Sequence, residues 1–233
     1  MCGRFAYYSA HEAMVQLFGL GADTPQLEAR WNIAPTQIVP VVRADSAGLR
    51  RLSMLYWGLI PHWAKEKSIG ARMINARAET LSEKPSFRTA FRRRRCLVVA
   101  SGYYEWQGIA GGKQPWFIRR PDERPFGFAG LWESWIEAPD RPALESCAII
   151  TTEAQGKIAQ LHHRVPVIIP REQYGLWLDP AQQDETAVAD LLCAPLDEEL
   201  TAIAVSKRVN NARNEGPELI APAASQSAGR VNP

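Results

Sequence analysis

Cys96-Leu97-Val98-Val99-Ala100 is an unbroken apolar run, and Ser101-Gly102-Tyr103-Tyr104-Glu105-Trp106 follows it with a carboxylate set among aromatic rings. A short apolar run closed by Ser-Gly predicts a buried strand. The same pattern recurs on both sides of it. Strand-like runs at residues 38–43 and 49–57 precede it, and runs at 116–120, 126–131, 147–151, 165–169 and 201–205 follow. Ser9-Ala10-His11-Glu12 reads as a capping box, with Met14, Leu17 and Phe18 at helical spacing and Gly19 as the stop. A second helix is expected over 87–94, with Phe87, Ala90 and Phe91 facing inward, and two late helices carry Tyr174, Trp177, Leu178 and Val188, Leu191, Leu192. Strands dominate and do not alternate regularly with helices, which predicts α+β. The expected architecture is a single domain over residues 1–221, with a mixed or antiparallel, barrel-like β-sheet core and peripheral helices. Residues 222–233, rich in Ala, Ser and Gly, are expected to form a flexible tail.

Hydrophobic residues make up 46% and charged residues 22% of the 233, the balance of a soluble globular chain. The formal charge is only +2, so composition alone does not announce a nucleic-acid partner. The basic residues are clustered, however: Arg88, then Arg92, Arg93, Arg94 and Arg95, then Arg119 and Arg120. Such a face can bind phosphates, or it can be an ordinary solvated helix face. Eight tryptophans serve as core anchors or as stacking surfaces for bases. No signal-peptide pattern and no stretch of membrane-spanning length is read from the sequence, so a cytoplasmic protein without membrane contact and with reduced thiols is expected.

Of the four cysteines, Cys96, Cys147 and Cys193 lie in apolar surroundings and read as buried thiols. Cys2 differs. If Met1 is removed, Cys2 offers an α-amine and a thiol on adjacent carbons, groups that titrate near ~8 and ~8.5. An aldehyde can form a Schiff base with the amine, and the thiol can then add to the same carbon and close a five-membered thiazolidine. The bland alternative is an inert, frayed terminus.

Polar residues in apolar settings are the candidates for supporting this chemistry. Glu105 among three aromatic residues should be desolvated and its pKa raised toward the range of proton transfer, unless it pairs with an arginine. In Ile74-Asn75-Ala76-Arg77-Ala78-Glu79-Thr80, Asn75 and Arg77 share one face if extended. The amide could hold an adduct oxygen and the guanidinium a phosphate, or both could simply anchor a loop. In Leu161-His162-His163-Arg164-Val165-Pro166, adjacent histidines on a strand should point to opposite faces, one buried and one exposed, which disfavours a metal site. No metal and no cofactor are expected.

Taken together, these segments resemble the abasic-site-processing family, also called SOS response-associated peptidases. The resemblance runs through Met1-Cys2-Gly3-Arg4-Phe5, Trp31-Asn32-Ile33-Ala34-Pro35-Thr36, Trp57-Gly58-Leu59-Ile60-Pro61, the stretches 74–80, 102–106 and 161–166, and Val209-Asn210-Asn211 to Gly216. It implies that Cys2 forms a thiazolidine with the ring-opened sugar of an abasic site in single-stranded DNA. It further implies that Asn75 orients the adduct, Glu105 assists proton transfers at the amine and His162 helps open the closed sugar. Arg4, Asn32, Arg77 and Arg164 fall at positions lining the DNA channel or pocket, and Trp63 at that of an aromatic wedge at a strand–duplex junction. Strand cleavage of the lyase kind is also implied, and a monomeric protein is expected. Ala64, Pro85 and Val165 depart from one branch of the family. Two rival readings stand beside this one: an N-terminal-nucleophile cysteine peptidase, and a non-covalent single-strand DNA-binding module.

Overall fold

The computed structural model describes residues 2–193 and 200–223. In chain order the strands are β1 (Phe5–Tyr7), β2 (Arg30–Ile33), β3 (Ile38–Ala44), β4 (Arg50–Trp57), β5 (Asn75–Arg77), β6 (Arg95–Ala100) and β7 (Gly102–Ile109). After these come β8 (Gly112–Arg119), β9 (Phe126–Trp135), β10 (Leu144–Glu153), β11 (Arg164–Pro166), β12 (Ile168–Ile169) and β13 (Thr201–Ala204). The helices are α1 (His11–Phe18), α2 (Arg88–Arg93), α3 (Gly156–Ala159), α4 (Tyr174–Leu178) and α5 (Glu185–Cys193). None among the described residues is long and apolar enough to cross a membrane.

Five strands close on themselves. β3 pairs antiparallel with β4 and β6, β6 with β9, and β9 with β10, while β10 runs parallel to β4 at Ser146↔Tyr56 and Cys147↔Trp57. A closed ring leaves no free edge to pair with another chain. The quoted run 96–100 lies in β6, all six of whose residues are buried, because the ring interior takes one face and covering elements take the other. That is why it shows no polar alternation. A second, antiparallel sheet in the order β13-β8-β7-β1-β2 lies against the barrel. The join is aromatic: the Phe5 ring meets Trp57 at 5.1 Å and Phe128 at 6.0 Å. Gly102 is required there, since a Cβ would strike the Phe117 ring and come within 2.9 Å of the Ile118 carbonyl oxygen.

The single-domain α+β reading with a barrel-like core agrees with this architecture. Several local expectations change. The Ser9 capping box does not form: Ala10 is the N-cap of α1 without a side-chain bond, and Ser9 Oγ lies 2.8 Å from Ser101 Oγ instead. Gly19 does stop the helix, in the left-handed conformation. The expected strand 165–169 is two, β11 pairing with β10 and β12 with β9. The basic run divides. Arg92 and Arg93 are exposed on α2, while Arg95 is buried and donates to the carbonyls of Phe91, Arg92, Trp177, Asp179 and Gln182. The tail expected from residue 222 is still in the fold at its start, where Pro222 bridges Val205 and Ala223 N–H donates to Ala204 at 2.7 Å. Residues 224–233 and the Cys193 side chain lie outside the described residues. Cys96 and Cys147 are buried free thiols.

Candidate functional site

Cys2 leads into β1 and is fully buried. Burial, and next to it the charge of Glu105, pushes its thiol well above the usual range, so the sulfur is held as S–H. The carbonyl of Cys2 accepts a hydrogen bond from Asn75 Nδ2 at 2.8 Å. Asn75 is placed by β5, which runs parallel to β10 with Asn75 opposite Ile149. The preceding carbonyl, Ile74, accepts from the Trp57 indole at 2.9 Å and from Ile149 N–H at 3.0 Å, so the strand is fixed from two sides. Asn75 Oδ1 is buried and has no hydrogen-bond partner among the described residues.

Glu105 arrives from β7. That strand pairs with β1 at Phe5↔Tyr103 and Ala6↔Gly102, and the same antiparallel register carried two residues further sets Glu105 beside Gly3, next to Cys2. The carboxyl is 2% exposed, and burial pushes its pKa up to about 7. His162 Nε2 lies 3.9 Å from Glu105 Oε2. Its ring is anchored at the other nitrogen, where Nδ1 stands 3.0 Å from both the N–H and the C=O of Arg164. Each charge state therefore has a partner: the neutral ring accepts from the N–H, and the imidazolium donates to the carbonyl. Burial lowers the His162 pKa, favouring the neutral ring. The expectation that the two histidines face apart is overturned. They precede β11 rather than lie in a strand, and their rings stack at 4.4 Å. Cys2, Asn75, Glu105 and His162, which lie far apart in the chain, thus come together at one end of the barrel.

The residues assigned to DNA divide into two groups. Arg77 and Trp63 are exposed, Trp63 at 51%, and the Arg77 side chain makes no hydrogen bond or ion pair among the described residues. The Trp63 loop is braced from β9, where Trp135 Nε1 donates to Ala64 O at 2.7 Å and Glu133 stands 3.4 Å from His62. Arg4, Asn32 and Arg164 are engaged within the protein. Asn32 is fully buried: Oδ1 accepts from Arg4 at 2.6 Å, and Nδ2 donates to the carbonyls of Asn211 at 3.0 Å and Asn214 at 2.8 Å. It braces the 209–214 loop from beneath and presents no atom at a surface DNA could reach. Arg4 also donates to Val209 O at 2.7 Å and lies 5.8 Å over the Trp106 ring. Arg164 makes a two-pronged bond to Glu79 at 2.8 and 2.9 Å, and it holds that carboxyl's pKa down to about 2.

Two residues of the neighbourhood were not singled out from the sequence. Glu79 stands in the quoted stretch 74–80, and its only signal was strand alternation with Arg77. Tyr103 was read as part of the aromatic setting of Glu105, yet it shares the Glu105 face of β7, and its hydroxyl is buried within reach of the charges of Cys2 and Glu105. Among the described residues, no three or more His, Cys, Asp or Glu side chains gather as a metal ion would require.

A family model described as SOS response associated peptidase (SRAP) matches residues 1–212 of the chain. The sequence is 40% identical over 224 residues to the abasic site processing protein YoqW of Bacillus subtilis (strain 168), covering 94% of this chain and 99% of that one. It is 38% identical over 223 residues to the abasic site processing protein YoaM of the same organism, covering 94% and 97%. A crystal structure of a protein from Bacteroides thetaiotaomicron superposes with a TM-score of 0.84 at 25% sequence identity, covering 96% of this chain and 100% of that one.

Proposed function

The chain belongs to the SOS response associated peptidase (SRAP) family, and on that premise we propose that it processes abasic sites in single-stranded DNA, capturing them covalently through Cys2 once Met1 is removed. The observation that carries this reading is the convergence of Asn75, Glu105 and His162 on a buried cysteine at position 2. An abasic sugar in its open form presents an aldehyde. The Cys2 amine adds to that carbon to give a carbinolamine, and loss of water leaves an iminium. The thiol then adds to the same carbon, its proton passing to a carboxylate, and the ring closes. The net change is one amine, one thiol and one aldehyde converted to a thiazolidine and one water. A carboxyl with a pKa of about 7 can give and take those protons at neutral pH. His162, neutral and tethered at Nδ1, can pass a proton to the sugar oxygen during ring opening.

Exposed Arg77 is the phosphate contact of this reading, and Trp63 the surface that abuts a flanking duplex. Arg164 can join them only by exchanging Glu79 for a phosphate. The iminium also acidifies the hydrogens on the neighbouring sugar carbon, so slow strand cleavage by elimination belongs to the same chemistry.

The test is a denaturing gel with an abasic single-stranded oligonucleotide and an intact one. A slow-migrating species is expected with the abasic strand alone, after intact-mass measurement has shown that Met1 is gone. Cys2→Ala keeps the amine but not the sulfur, so its adduct should survive only after reduction of the imine. A Cys2→Ala adduct as stable as wild type would refute the ring. Equal binding to the intact strand with nothing surviving denaturation would favour the non-covalent reading, and repeated Cys2-dependent turnover of a peptide would favour the peptidase reading.

A further inference from the structure

Tyr103 and Glu105 are two residues apart on β7, so their side chains leave the sheet on the same face. Tyr103 is the register partner of Phe5, three residues beyond Cys2, and its ring packs edge-on against Phe128 at 5.9 Å. The side chain is fully buried, and its hydroxyl has no hydrogen-bond partner among the described residues. The adjacent Tyr104, on the opposite face, does have one: its hydroxyl donates to Trp31 O at 2.7 Å. Buried phenols ordinarily find a partner, and an orphan at the wall of a reactive site marks where an oxygen from outside the protein would complete it. Burial pushes the Tyr103 hydroxyl far up its range, and negative charge on Cys2 or Glu105 pushes it further, so the group remains a donor.

We propose that Tyr103 is a further catalytic residue, whose hydroxyl donates a hydrogen bond to the aldehyde oxygen of the abasic sugar and holds it until it departs as water. The inference rests on the covalent reading given above. When the amine nitrogen bonds to carbon, the carbonyl electron pair moves onto oxygen, and the proton lost by nitrogen neutralises it. The Glu105 carboxylic acid then protonates that hydroxyl, the C–O bond breaks, water leaves and the C=N bond forms. The thiol adds and its proton returns to the Glu105 carboxylate. Tyr103 keeps its own proton throughout. Its contribution is a fixed donor aimed at the oxygen on which charge develops, in a site that excludes solvent.

Tyr103→Phe removes the hydroxyl and keeps the ring that packs on Phe128. Single-turnover crosslinking of a labelled abasic oligonucleotide should show the saturating rate constant falling roughly tenfold or more. The protein concentration giving half-maximal rate should be unchanged, and Tm should be unchanged or higher, because a buried polar atom without a partner has been removed. Tyr104→Phe is the control, since its lost bond is structural: Tm should fall and the saturating rate should stay within about twofold. A Tyr103→Phe rate equal to wild type overturns the proposal, as does a rate that falls only in step with Tm. If the wild-type protein itself gives no adduct, the covalent reading fails and this inference with it; a wild-type adduct with an unaffected variant removes Tyr103 alone.

Discussion

Glu105 carries a charge that this fold disfavours. Its carboxyl titrates near 7 in the folded protein, against an ordinary value of 4.5, and burial is the cause. Between those two pH values the folded chain holds a proton that the unfolded chain has released, so stability declines as pH rises through the interval. The stabilisation tied to this proton is complete below about pH 4.5 and absent above about pH 7. Glu105→Gln should therefore raise Tm at pH 8 and have little effect near pH 4.5. At about 1.4 kcal/mol per pH unit, the gain at pH 8 has an upper bound of about 3 kcal/mol. Crosslinking by the same variant should slow. Thermal melts at the two pH values check the first expectation; a variant no more stable than wild type at pH 8 would mean that the carboxylate is well accommodated. Desolvation of this residue was legible in the sequence from its aromatic segment, although of those rings only Tyr103 shares its face and Tyr104 and Trp106 lie on the other. The histidine that stands 3.9 Å away, 57 positions later in the chain, was legible only as a separate motif.

Elements explain which assignments could be made from the sequence. The barrel strands β3, β6, β9 and β10 announce themselves as apolar runs. β7 does not, because both of its faces are buried against different partners: Tyr103 packs on Phe128 of the barrel, and Tyr104 packs on Phe117 within the second sheet. A strand with aromatic residues on both faces shows no alternation. The same limit applies to Asn32. The resemblance set it among the residues lining the DNA channel, but its partners are carbonyls of a loop about 180 positions away. Asn32→Ala should leave those carbonyls and Arg4 short of partners and cost about 3 kcal/mol. In a chain of this size that lowers Tm by roughly 6–12 °C. If instead Tm held and affinity for DNA fell alone, Asn32 would be a contact residue and not a brace. Glu79 shows the same pattern. Its pairing with Arg164 joins elements distant in sequence, and alternation within 74–80 could not reveal it.

At the scale of the molecule, β10 joins the barrel to the site. Its first half closes the ring between β9 and β4, and its second half carries β5 and β11, from which Asn75 and the His162 turn depart. Ile149 sits at the junction, fully buried, opposite Asn75 on one side and Gly130 on the other. Ile149→Ala should cost about 2–5 kcal/mol through lost burial and the cavity it leaves. Crosslinking should slow with it, measured at a temperature where the variant remains folded, because Ile149 is the register partner of Asn75. A folded Ile149→Ala protein with the wild-type rate would show that the Ile149 side chain plays no part in positioning the site.

The complete burial of Cys2 also imposes an order of events in time. An exopeptidase must grip the backbone on both sides of the bond it cuts, and on the Cys2 side that backbone lies inside the finished protein. The side chains that meet it are synthesised far later, Asn75 at its carbonyl and Glu105 beside its thiol. At ~5–20 residues per second the ribosome takes roughly 5–20 s to reach Glu105. On the reading proposed above, removal of Met1 therefore belongs to the nascent chain, and a polypeptide that misses this interval would fold with its amine still blocked.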